Sequence, residues 1–187
     1  MCPSTALTRW CAAPLRCKPR PMRRRRSQAC RKPCGYKAVK EILASSCIVK
    51  EEPELEGDDI IGILHTEGTY GASVIVSSDK DLKCIPGWLW NPDKDGVPAM
   101  ITREEADRNW LMQTLTGDKT DGYPGLEGVG PVTAAKILKK GTWDEVKEAY
   151  GNAGFNEEYA LTQARCARIL RHGEYNWTTK EISLWKP

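Results

Sequence analysis

The chain has 187 residues, of which 40% are hydrophobic, enough for one globular domain with a buried core. Its longest apolar runs fall well short of the roughly 18 residues that a transmembrane helix needs, so no membrane partner is expected. The net charge of +3 is unevenly distributed. Residues 1–36 hold ten Lys or Arg and no acid, which leaves the remaining chain at a net charge of about −7.

The first 35 residues form a basic segment rich in Arg, Pro and Cys. Its prolines interrupt any helical or strand period, so the segment is expected to be unfolded on its own. Three interpretations stay open: a transit peptide, a basic arm for nucleic acid, or translation of a stretch outside its ancestral frame. The third is preferred for Met1 to about Gln28. Five of the eight cysteines lie here without a CxxC pair, so neither a zinc site nor an oxidising compartment is expected.

From Tyr36 onward the sequence alternates between helical and extended patterns. "YKAVKEILASS" predicts a first helix, and "PELEGDDIIGILHTEG" predicts a second, with Pro53 near its start and Gly68 as its stop. The β-branched run Val74–Val76 is typical of a buried parallel strand.

The second half of the chain is predicted to be mainly helical. A strand and a turn at residues 92–96 come first, followed by a helix that Thr102 caps, with Glu105 three residues on, and that continues to Leu115. Three more helical patterns and a short extended end, "TKEISLWKP", complete the chain. The fold class is therefore α/β, with ligands expected at the carboxyl ends of the strands.

Acidic side chains recur in three places along this pattern. They stand at a helix start, after a strand, and before a turn rich in glycine: Glu56, Asp58, Asp59; Asp79, Asp81; Asp118, Asp121. Glu56 and Asp59 would share one helix face, and Asp79 and Asp81 would point to one side of an extended segment. Each group, taken alone, can also be explained as acids that stabilise a helix start or as aspartates that form a turn.

Converging carboxylates need a counter-charge, because they raise one another's pKa unless cations neutralise them. Mg²⁺ or Mn²⁺ suits such a site, since both are hard cations that accept carboxylate oxygens and keep waters for a phosphate substrate. Two such ions about 4 Å apart can activate a water and stabilise the leaving oxygen in phosphodiester cleavage.

Three motifs, "LEGDD", "SSDKDLKCIPG" and "TGDKTDGYPGLEGVGPVTAAKIL", occur in this order and together resemble the phage-type 5′-3′ exonucleases of the flap endonuclease superfamily. The resemblance covers about residues 31–187. It implies a PIN-like α/β domain with a parallel sheet, here incomplete at its N-terminus, followed by a helix-three-turn-helix region. The resemblance implies that Glu56, Asp58, Asp79 and Asp81 are catalytic, and that these four with Asp59, Asp118 and Asp121 hold two Mg²⁺ or Mn²⁺ ions.

The same resemblance implies a DNA-binding surface on the glycine-rich turn and the helix after it. Its expected residues are Gly128, Gly130, Thr133, Lys136 and Lys139, with Lys80 beside the acids. Family members also bind K⁺ through carbonyls of this turn. The expected partner is a DNA duplex with a 5′ end or flap, and the chain is expected to be a monomer located in the cytoplasm, that of the host if phage-encoded.

The resemblance also predicts the domain boundaries and the activity. Residues 36–116 would form a partial 5′-nuclease domain and residues 117–187 the helix-three-turn-helix region. Two aspartates that the family places before this region find no counterpart in residues 1–35, which contain no acid. Two functions therefore stay open: a metal-dependent 5′-3′ exonuclease or flap endonuclease, and a catalytically impaired DNA-binding remnant of that family.

Overall fold

The computed structural model describes residues 34–187, so most of the basic segment lies outside the described residues. The described chain belongs to two compact units, one that runs to Glu51 and one from Glu52 to Pro187. Helix α1, Tyr36–Ser46, lies in the first unit and has the predicted bounds. It buries no residue, and its apolar Val39, Ile42 and Leu43 are exposed.

The second unit begins with helix α2, Gly57–Glu67, which starts later than predicted. Pro53 lies in a turn ahead of it, and Glu56 is the N-cap, with an extended backbone (φ −76°, ψ 159°). Glu56 therefore does not share a helix face with Asp59, as the sequence analysis expected. The predicted stop is confirmed, because Gly68 caps the C-terminus in the left-handed conformation (φ 74°) that glycine adopts without strain.

A three-stranded sheet follows, formed by β1 Val74–Val76, β2 Gly87–Trp90 and β3 Ala99–Ile101. Strand β2 pairs with β1 in parallel and with β3 antiparallel. The sheet is thus mixed, and the prediction of a parallel sheet holds for one pairing. The reason is local: the turn after β2 reverses the chain directly into β3, and a hairpin can only be antiparallel.

One face of this sheet is buried and the other is exposed. Ile75 and Leu89 pack with Leu82 and Ile85 beneath the sheet. Their neighbours Val74 and Val76 are 44% and 57% exposed, so the prediction of a buried strand is correct for one face of β1 and wrong for the other. A β-branched run signals a strand, but it cannot show how many of its faces are covered.

Helices build the larger core of this unit. Helix α3, Arg103–Thr116, begins with the predicted Thr102–Glu105 capping box. It packs against α4 Pro131–Ile137, α5 Trp143–Asn152 and α6 Glu157–Cys166. Leu115, Leu138, Val146 and Tyr150 are fully buried among them.

The chain ends with a short hairpin, β4 Tyr175–Asn176 and β5 Glu181–Ile182, where an extended end was predicted. Beyond it, Trp185 makes edge contacts with Trp110 of α3 and Trp143 of α5. Among the helices of residues 34–187, none is long and apolar enough to cross a membrane.

Candidate active site

Asp79 and Asp81, the second acidic group, lie directly after β1, but not on an extended segment. Asp81 is the first residue of a 3₁₀ turn, Asp81–Cys84, and its backbone N–H donates to Asp79 Oδ1 over 3.0 Å. An Asx turn, in which the Asp79 side chain accepts the backbone N–H two residues on, therefore fixes the pair. The predicted alternation of side chains along a strand does not. Asp79 is exposed and Asp81 is half-buried.

The third acidic group lies on a closed loop between α3 and the glycine-rich turn. Asp118 and Tyr123 exchange two backbone hydrogen bonds of 2.9 and 3.1 Å, which closes the loop around Asp121. Asp118 Oδ1 accepts the Thr120 N–H over 2.7 Å, and this hydrogen bond lowers the pKa of Asp118.

The loop is sealed by two glycines whose backbones touch. A Cβ on Gly125 would lie 2.3 Å from Gly117 N, and a Cβ on Gly117 would lie 2.3 Å from the Pro124 carbonyl carbon. Gln163, which is buried, accepts the Gly125 N–H over 3.0 Å. Glycine is needed at 117 and 125 for this close approach.

These two groups meet in space. Asp81, Asp118 and Asp121 each offer one carboxylate oxygen, and the three oxygens lie within 4.8 Å of one another. The Lys80 ammonium lies 3.9 Å from Asp81 Oδ1 and 3.8 Å from Asp118 Oδ2, but its side chain is 78% exposed. An exposed ion pair at such distances is weak, so Lys80 compensates little of this charge.

The first acidic group shares a cleft with the other two. Glu56, Asp58 and Asp59 line it together with Asp81 and Asp121. Burial raises the pKa of Asp58, and repulsion from Asp79, Glu56, Asp81 and Asp121 adds to this rise. The pKa of Asp121 is also raised, first by burial and then by Asp118 and Asp79.

Asp59 differs from the other acids because one of its oxygens has a structural partner. Its Oδ1 accepts the Leu170 N–H over 2.9 Å, a contact between residues 111 positions apart. Burial nevertheless raises the pKa of Asp59 to about 6, since the hydrogen bond only partly offsets the loss of water. Asp59 thus joins α2 to the segment after α6 at the wall of the cleft.

The predicted DNA-binding residues lie elsewhere, apart from Lys80. They are exposed, on the turn, on α4 and, for Lys139, just beyond the C-terminal end of α4, although the sequence predicted Lys139 on the helix: Gly128, Gly130, Thr133, Lys136, Lys139. Lys136 and Lys139 border a shallow groove that Glu145 and Glu148 of α5 also line. The structure therefore separates an acidic cleft from a surface with lysines, within the same compact unit.

Sequence reasoning missed several side chains of the cleft. Gln113 and Tyr123 line it, as do Arg165 and Arg168. Arg168 is paired with Glu174 over 2.6 Å and lies over the Trp110 ring at 4.6 Å. A signal for Gln113 was available, because it is an amide in the otherwise apolar and threonine-containing stretch "WLMQTLT", which ends one residue before the Gly117–Asp118 pair.

The donor set fits a divalent cation of the magnesium type. All of its members are carboxylates, and the pKa values of Asp58, Asp81 and Asp121 are raised first by burial and then by neighbouring carboxylates. Oxygens around one Mg²⁺ lie at most about 4.2 Å apart, so small side-chain movements would suffice for the triad to hold an ion.

Comparison with known proteins identifies the family. The chain is 36% identical to an exonuclease of Escherichia phage T7 in an alignment 201 residues long. That alignment covers 86% of this chain and 66% of the phage protein. It is 38% identical over 116 residues to a 5′-3′ exonuclease of Aquifex aeolicus, covering 54% of this chain and 39% of that protein. A flap endonuclease Xni of Shewanella is 31% identical over 115 residues, 56% of this chain and 44% of the relative.

The chain thus spans just under two thirds of the phage relative's length. No protein-family model matches it, and no solved structure does. These three relatives are all named as nucleases, and the phage alignment takes in most of the chain. The chain therefore belongs to the phage-type 5′-3′ exonuclease and flap endonuclease family.

Proposed function

We propose that this chain hydrolyses DNA phosphodiester bonds from a 5′ end or 5′ flap with the help of divalent metal ions. The observation that carries the proposal is the convergence of three acidic groups, far apart in sequence, on one cleft after strand β1. Family membership supplies the reaction class. The same proposal includes the domain assignment. Residues 36–116 would form a PIN-like domain, and residues 117–187 would form a helix-three-turn-helix region.

The acids divide into two roles in this proposal. Asp81, Asp118 and Asp121 would hold one Mg²⁺ or Mn²⁺ ion, and Glu56, Asp58 and Asp79 would complete a second position nearby. Asp59 would contribute through its remaining oxygen while it holds Leu170 in place. When bound, the two ions would activate a water and stabilise the leaving oxygen.

DNA would reach the cleft over the surface that carries the lysines. Gly128, Gly130 and Thr133 are exposed on the turn and on the first turn of α4, where a phosphate backbone could approach closely. Lys136 and Lys139 would add charge, and Lys80 would face a phosphate beside the acids. A K⁺ ion at the turn carbonyls also belongs to the proposal, and replacing KCl by NaCl in binding assays tests it.

The test is cleavage of a 5′-labelled duplex that carries a short 5′ flap, with Mg²⁺, with Mn²⁺ and with EDTA. Asp79→Asn and Asp121→Asn each remove one carboxylate charge from the proposed site. Asp93→Asn is the matched control, because Asp93 is an exposed aspartate in the turn between β2 and β3. We expect metal-dependent product from wild type and Asp93→Asn, and a loss of about 100-fold or more in the two site variants.

Two results would contradict this proposal. Absence of product with either metal, while salt-sensitive DNA binding persists, would favour the DNA-binding remnant. Equal product from wild type, Asp79→Asn and Asp121→Asn would place the chemistry outside the acidic cleft.

A further inference from the structure

One amide side chain joins the acidic cleft to a buried thiol. Gln113 Nε2 donates to Asp81 Oδ1 over 2.5 Å, and Gln113 Oε1 accepts the Cys84 thiol proton over 3.2 Å. Asp81 and Cys84 are the first and last residues of the 3₁₀ turn. Gln113 therefore fastens both ends of that turn to helix α3.

The orientation of the Gln113 amide follows from its two partners. Cys84 is 2% exposed and lies in the helical core, and its thiol stays protonated because burial raises its pKa to about 12. A protonated thiol can donate, so it takes the carbonyl end of the amide. The NH₂ end is thereby left to face a carboxylate, which only accepts. Trp110, Leu111, Thr114 and Leu115 are buried around Gln113, which holds its backbone in place.

The choice of an amide has an electrostatic consequence. Asp81 belongs to the triad with Asp118 and Asp121, and a cationic partner at its Oδ1 would cancel charge that a divalent ion needs. The Gln113 amide restricts the Asp81 carboxylate without adding positive charge. Gln113 contacts Asp81 through Oδ1. The Lys80 ammonium lies 3.9 Å from the same oxygen and is therefore only a weak cationic partner.

We propose that Gln113, itself held by the Cys84 thiol, is a positioning residue that orients Asp81 for divalent-metal binding. This inference rests on the proposed function, because it assumes that the acidic triad holds a metal ion. Partners that orient the ligands of metal sites commonly change affinity by about 10–100-fold when removed. A purely structural role for Gln113 would instead appear as a loss of thermal stability, with metal affinity unchanged.

The experiment measures Mn²⁺ affinity without DNA, from the electron paramagnetic resonance signal of free Mn²⁺. Gln113→Met keeps the length of the side chain and removes both polar groups. Cys84→Ala removes the thiol donor, and Cys84→Ser restores a donor at the same place. Asp118→Asn identifies the Mn²⁺ that binds at the triad, and melting in EDTA reports the fold of every variant.

We expect Gln113→Met to weaken Mn²⁺ binding by about tenfold. Cys84→Ala should weaken it in the same direction, and Cys84→Ser should return the affinity to near the wild-type value. Wild-type affinity in Gln113→Met would overturn the inference and leave the proposed function intact. The inference would also be overturned if Cys84→Ser bound Mn²⁺ as weakly as Cys84→Ala does. It would likewise be overturned if Mn²⁺ affinity fell only in variants whose melting temperature also fell. Absence of Mn²⁺ binding in wild type would overturn the metal site of the proposed function, and this inference with it.

Discussion

The contact between Gly117 and Gly125 gives the sharpest test of how the acidic loop is built. In Gly125→Ala, the new Cβ would lie 2.3 Å from Gly117 N, 2.6 Å from the Thr116 carbonyl carbon and 2.7 Å from Leu115 O. All three are backbone atoms, so no side chain can rotate away. The two segments would have to separate by about 1 Å to reach ordinary contact distance.

The control is Gly122→Ala in the same loop. Gly122 and Gly125 both have a left-handed backbone, with φ of 83° and 65°, but a Cβ on Gly122 would meet no atom within 4 Å. Both variants therefore incur the left-handed strain of about 1–2 kcal/mol. Only Gly125→Ala also incurs overpacking, which costs about 1–3 kcal/mol. Separation of the two backbone segments also strains two hydrogen bonds. These run from Leu126 N–H to Leu115 O over 2.8 Å and from Gly125 N–H to Gln163 Oε1 over 3.0 Å.

We therefore expect Gly125→Ala to lower the free energy of unfolding by roughly 2–5 kcal/mol and Gly122→Ala by roughly 1–2 kcal/mol. The measurement is urea unfolding followed by tryptophan fluorescence in EDTA, so that metal binding does not contribute. Equal destabilisation in the two variants would refute the reasoning, because it would mean that the backbone contact between Gly117 and Gly125 adds nothing to the strain.

Three further predictions concern buried groups outside this loop. In Asp107→Ala, the buried Arg171 loses its 2.6 Å ion pair with a carboxylate that is 38% exposed, so urea unfolding should show a loss of about 1–3 kcal/mol, and an unchanged midpoint would contradict this. Cys84 should resist alkylation of the folded chain at pH 8 while the exposed Cys47 reacts, as mapped by mass spectrometry, because burial raises the pKa of Cys84 to about 12. Because Asp59 has a folded pKa of about 6, above its unfolded value, its contribution to the metal-free stability is full below about pH 4 and is lost as the pH rises through 6. Asp59→Asn keeps an acceptor and should flatten this decline, and an identical pH profile in the variant would exclude Asp59 as its source.

Features that depend on a few neighbouring residues could be predicted from the sequence. The bounds of α1, the Gly68 stop of α2 and the Thr102 capping box were all predicted correctly, because each depends on contacts within one turn of the chain. The sequence also shows the three acidic groups, and members of each line one cleft in the structure, while their roles stay a prediction. What the residue pattern could not give is the local geometry of Asp81, which lies in a 3₁₀ turn and not on an extended segment.

The contacts that hold the cleft together join distant positions, and no local pattern signals them. The sequence shows a turn rich in glycine, but only the structure shows that Gly117 and Gly125 serve a close approach of two backbone segments. Likewise, the Asp59 carboxylate finds its donor 111 residues away, and Asp81 finds Gln113 32 residues away. Only the folded chain reveals which polar residues were partners.

The partners of these acids share a property that bears on function. Asp59, Asp81 and Asp118 each accept a hydrogen bond from a neutral N–H, two from the backbone and one from Gln113. Neutral donors stabilise the individual carboxylates but leave their negative charge in place, so repulsion between the carboxylates remains. A divalent cation that binds there would relieve it, and the chain should unfold at a higher temperature as Mg²⁺ is added, because a ligand that binds only the folded state stabilises it. The fold therefore holds these three carboxylates through neutral donors, which stabilise each carboxylate without cancelling the negative charge that attracts a cation.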